Sequence, residues 1–171
     1  MRAIHQIVGL SSLTVVLLLI GKPTGATAAE TLSAIKSEGT TELTYKAPSG
    51  NIIRVEISQA KIESSFPYKD ELLWSGDVGE PPETVLTLIQ VSQNKTPVFA
   101  RLSAYSDLGD VKFASLEPTK EGFALHLHGG NTATSYDATL SFSHGYLSTR
   151  TVRGREFPDE AWEKTRYSFP K

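Results

Sequence analysis

Residues 123–152 read FALHLHGGNTATSYDATLSFSHGYLSTRTV, and this stretch decides the fold. Phe123, Leu125 and Leu127 alternate with Ala124, His126 and His128. Tyr136, Ala138, Leu140 and Phe142 alternate in the same way with Asp137, Thr139, Ser141 and Ser143. A period of two belongs to a strand, whose successive side chains point to opposite faces. Residues 129–132, GGNT, make a loop between the two runs. His144-Gly145 stands where a two-residue hairpin turn needs positive φ, and residues 146–152 return as a third strand. Apolar positions must face apolar positions across the first hairpin, so Leu127 belongs beside Ala138 and Leu125 beside Leu140. That register sets Asp137 opposite His128 and Thr139 opposite His126.

The same period runs outward toward the N-terminus. Leu43 and Tyr45 alternate with polar residues, as do Ile53, Val55 and Ile57, and residues 48–51, PSGN, turn one run into the other. Residues 83–93 carry apolar side chains on both faces for part of their length, which marks a central strand. After a turn at 93–96 the pattern predicts strands over 98–105 and 111–116, with a turn at 118–122, and the last strand over 165–169. Between them, residues 63–70 are polar, residues 72–74 are a short apolar run, and residues 76–82, GDVGEPP, are a loop. Residues 31–36 look helical. So do residues 157–164, where Pro158 is followed by Asp159 and Glu160 as at a helix start. The expected fold is all-β: an antiparallel meander of about nine or ten strands, closed as a barrel or folded as a sandwich, with at most a short helix near each end of the mature chain.

The first residues have a different purpose. Arg2 precedes an apolar run over residues 7–20, broken by Gly21, Lys22 and Pro23, and small residues follow to Ala29. A basic start, an apolar centre and a small-x-small cleavage site make a secretory signal peptide. Cleavage falls after Ala28 or Ala29. The run is shorter than the roughly 20 residues that a spanning helix needs, so no membrane span is expected after cleavage. Residues 1–28 are therefore read as a cleaved leader and residues 29–171 as a single β domain. With Cys 0, the exported domain must hold together by its core alone, as in many periplasmic chains. The expected location is a bacterial periplasm or the cell exterior.

Charge narrows the partners. The formal net charge is −2, and losing Arg2 and Lys22 with the leader makes it more negative. This argues against nucleic acid, whose phosphates need a basic face. Arg150, Arg153, Arg155, Lys164, Arg166 and Lys171 form a local basic cluster, read as a solvated strand face.

No G-x-S-x-G elbow, H-E-x-x-H pair, P-loop or dinucleotide fingerprint is present, and the absence of cysteine excludes thiol catalysis. Two other groups stand out. His126 and His128 share a strand face with Asp137 opposite, a two-His, one-carboxylate set that would take Zn²⁺ or Cu²⁺. Phe66, Tyr68 and Trp74 surround the 63–82 region, and Trp162 lies near the C-terminus with Phe157 and Tyr167. Such aromatic residues form the wall of an apolar ligand pocket or anchor a protein partner. The sequence thus predicts an exported, non-catalytic binding domain for a small apolar ligand or an envelope protein. A metal-binding protein or metallohydrolase using His126, His128 and Asp137, and a structural component of the envelope, are the alternatives.

Overall fold

The computed structural model describes residues 32–47, 49–63, 74, 81–131 and 135–168. Residues 1–28, which the sequence reads as a leader, and the aromatic residues Phe66 and Tyr68 lie outside them. Ten strands run through the described residues in chain order: β1 (Ser33–Ala34), β2 (Gly39–Lys46), β3 (Ile52–Lys61), β4 (Thr84–Gln93), β5 (Thr96–Val98), β6 (Phe113–Pro118), β7 (Gly122–Gly129), β8 (Tyr136–Ser143), β9 (Tyr146–Gly154) and β10 (Ala161–Arg166). They form two antiparallel sheets, one ordered β1-β6-β7-β8-β9-β10 and the other β2-β3-β4-β5. The fold is a sandwich and not a closed barrel. Strands β1 and β10 end one sheet and β2 and β5 end the other, whereas a barrel requires the first and last strands to bond.

Alternation builds the core. Ile53, Val55 and Ile57 of β3 and Leu86, Ile89 and Val91 of β4 point inward from the smaller sheet. Phe123, Leu125 and Leu127 of β7, with Ala138, Leu140 and Phe142 of β8, point inward from the larger one. Phe123 and Phe142 stack with centroids 4.7 Å apart and planes 13° apart. The register of β7 on β8 is the expected one, with Leu127 beside Ala138 and Leu125 beside Leu140.

The turns follow local chemistry. His144 (φ 53°) and Gly145 (φ 82°) join β8 to β9, and Asn94 (φ 51°) and Lys95 (φ 69°) join β4 to β5. Positive φ at both central residues makes a turn whose twist matches the flanking strands. Asn94 also fastens the neighbouring hairpin end, since its side-chain oxygen accepts from the Ile52 amide at 2.9 Å.

Three expectations change. The strand expected over 98–105 stops at Val98, and residues 99–112 cross from one sheet to the other through a 3-10 turn at Leu102–Ala104. The apolar residues of this segment are used as a plug, with Ala104, Tyr105 and Leu108 buried between the sheets. The helix expected at 31–36 is replaced by β1, which pairs with β6. The helix expected at 157–164 is replaced by a turn followed by β10, so the last strand, expected over 165–169, runs instead from Ala161 to Arg166 and pairs with β9. Pairing to an open sheet edge outweighs a weak helix-start signal.

Candidate functional site

His126 and His128 point away from the core because Phe123, Leu125 and Leu127 take the inner face of β7. Across the hairpin they meet Thr139 and Asp137, as the register required. His126 Nε2 lies 2.9 Å from Glu117 Oε2, and its Nδ1 lies 3.2 Å from Thr139 Oγ1. His128 Nδ1 lies 2.6 Å from Asp137 Oδ1, which also accepts from Arg155 Nε at 3.1 Å. The two histidines therefore sit in separate polar groups on one sheet face. Among the described residues, no group of three or more His, Asp or Glu side chains converges as a metal-holding set. For a Zn²⁺ or Cu²⁺ ion to use His126, that ring would have to give up Glu117 or Thr139.

The second group extends beyond Asp137. His128 and Gly129 end β7, Gly130 follows it, Ser135 precedes β8, and Arg155 follows β9. Together with Lys112 they line an open concavity of about 310 Å³. Backbone bonds hold these segments: the Lys112 amide donates to the His128 carbonyl at 2.8 Å, and the Arg155 amide to the Ser135 carbonyl at 3.1 Å. Sequence reasoning missed Lys112 and placed Arg155 only in a general basic cluster. Nothing local marks either residue, since their meeting depends on the ends of β7, β8 and β9 lying together.

Arg150, from the same cluster, does not lie on a solvated face. It is 2% exposed and turned toward the inner side of β9. Its guanidinium grips Asp107 with both terminal nitrogens, at 2.7 and 2.6 Å, and donates to the Ser103 carbonyl at 3.2 Å. Glu163 Oε2 lies 3.3 Å away. Burial pulls the Arg150 pKa down, but the hydrogen bond and charge of Asp107, with Glu163 behind, hold it above its ordinary value. Nearby, burial pushes the Tyr167 phenol up, and Arg150 opposes that shift. This cluster ties the 99–112 crossover to the larger sheet.

The aromatic residues fall in different places. Trp74 is half-buried, and among the described residues its shielded indole N–H has no hydrogen-bond acceptor. Trp162 stands at a bulge in β10, where it is 49% exposed and lies against Gly154. It caps no helix. Phe157 is exposed in the preceding turn. Sequence reasoning missed another apolar surface, at the end of β5. Phe99, Leu102 and Tyr146 are 56%, 59% and 48% exposed. Phe99 bridges directly to Tyr146, and its carbonyl accepts from the Leu147 amide at 3.3 Å. A signal for Tyr146 was present: Leu147 pairs with Phe142 and points inward, so its neighbour had to point outward.

Comparison of the chain with protein-family models, curated proteins and solved structures finds no match in any of the three.

Proposed function

We propose that this chain is an exported, non-catalytic binding domain that engages a protein partner through the apolar end formed by Phe99, Leu102 and Tyr146. The observation that carries this reading is the meeting of Phe99 and Tyr146. They come from different segments, are bridged by backbone, and leave large rings exposed. Aromatic side chains held on rigid backbone are the residue type that anchors protein interfaces. The space between the sheets is occupied by one contiguous cluster of buried side chains, which favours an outer surface over an interior pocket for the ligand. Export rests on the leader sequence.

The test is site-specific photo-crosslinking in the cells that produce the protein. A photoreactive residue placed at 99 or 146 should yield the same discrete adduct. The same residue at Thr44, exposed on the outer face of β2, should yield none. Adducts of equal yield from all three positions, or none from 99 and 146, would overturn the reading.

A further inference from the structure

We infer that Lys112, His128 and Arg155 form a binding site for a small oxyanion, a phosphate-type or carboxylate group. The inference goes beyond the partner-binding reading and rests on different residues, so either can fail alone.

Three features point to it. The first is an excess of donors. Asp137 Oδ1 takes His128 Nδ1 and Arg155 Nε from one side. Among the described residues, no hydrogen bond or ion pair engages the Lys112 ammonium or the terminal nitrogens of Arg155. An oxyanion supplies the acceptors that this set lacks, and an arginine fork suits its paired oxygens.

The second feature is shape. The concavity of about 310 Å³ is lined in part by the backbone of Gly129 and Gly130, where the chain leaves β7 with Gly130 at a φ of 78°. That volume suits a small anion or the acidic end of a larger molecule. The third is support. The same carboxylate orients both His128 and Arg155, and backbone bonds hold Lys112 to His128 and Arg155 to Ser135. Preorganised donors lose less entropy on binding than free side chains do. Two basic side chains against one carboxylate leave the site attractive to anions. Lys112 and Arg155 are exposed, so the attraction is screened by salt.

The test is an NMR titration of the protein purified from its producing cells, with sodium phosphate, sodium succinate and sodium chloride at matched ionic strength. Saturable shifts of the Gly129, Gly130 and Ser135 amides with phosphate or succinate, but not with chloride, are expected. Tighter phosphate binding would identify a phosphate-type ligand, and tighter succinate binding a carboxylate. Arg155→Gln should weaken binding about tenfold, and Arg155→Lys, which keeps charge but loses the fork, should fall between. Both replace an exposed side chain, and unchanged amide spectra in β3 and β4 would confirm that the variants fold. Shifts no larger than those from chloride, or shifts undiminished in Arg155→Gln, would overturn the inference.

Discussion

Arg150 illustrates how one charged side chain is turned inward by alternation. Val152, two residues on, belongs to the core, so strict period two puts Arg150 on the same face of β9. A guanidinium there needs a partner, and Asp107 provides two oxygens. Removing one member of such a buried pair leaves the other uncompensated. Arg150→Ala should therefore cost about 3 kcal/mol, a fall of roughly 10 °C in Tm for a domain of this size. Asp107→Asn, which retains one acceptor, should cost less. Thermal unfolding followed by circular dichroism measures both. An Arg150→Ala variant as stable as the parent would show that the clamp contributes no net stability. His126 and His128 are the opposite case. Their outward position and their partners Thr139 and Asp137 were legible from the sequence, because register follows from matching apolar residues. Their division into two polar groups was not, because Glu117 and Arg155 arrive from other segments.

The ends of the strands in the larger sheet depend on two glycines. Gly129 pairs with Tyr136, and Tyr136 pairs with Gly154, in one row across β7, β8 and β9. A methyl group at Gly129 would run into the Tyr136 ring, and one at Gly154 into the Trp162 indole. Each ring covers the backbone that a glycine leaves open. The two sites differ in freedom. Tyr136 is 1% exposed, and its hydroxyl donates to the Gly109 carbonyl at 2.7 Å. Trp162 is half exposed on an edge strand. Gly129→Ala should therefore cost about 3 kcal/mol, the upper part of the range for overpacking, and Gly154→Ala about 1 kcal/mol. Urea unfolding midpoints test the ranking, and equal losses would contradict it. Elements with hairpin neighbours were read correctly from the sequence: β2, β3, β4 and β6 to β9. The segments at 98–105 and 157–164 were misread because each borrows its structure from a distant partner. The first fills the gap between sheets, and the second pairs with β9.

For the molecule as a whole, the leader reading predicts a mature chain. Intact mass spectrometry of the exported protein should give a mass beginning at Ala29 or Glu30. A mass that retains residues 1–28 would overturn export by cleavage. Either cut precedes β1, which begins at Ser33 and ends the larger sheet. The aromatic end and the oxyanion concavity use different residues, Phe99, Leu102 and Tyr146 in one case and Lys112, His128 and Arg155 in the other. A partner with an apolar contact and an acidic group could thus be held at two separate places.

Hydrophobic alternation by itself determined that the chain is all-β and antiparallel, and it set the register of β7 on β8. Those properties depend on residues near one another in sequence, whose burial is proportional to the apolar surface that each strand offers. The tertiary structure alone decided that the strands form a sandwich and that residues 99–112 plug it. It also decided that Arg150 is buried beside Asp107 and that Lys112, His128 and Arg155 line one concavity. These arrangements join segments far apart in the chain, and each is set by which polar groups find partners once the sheets have closed on their core.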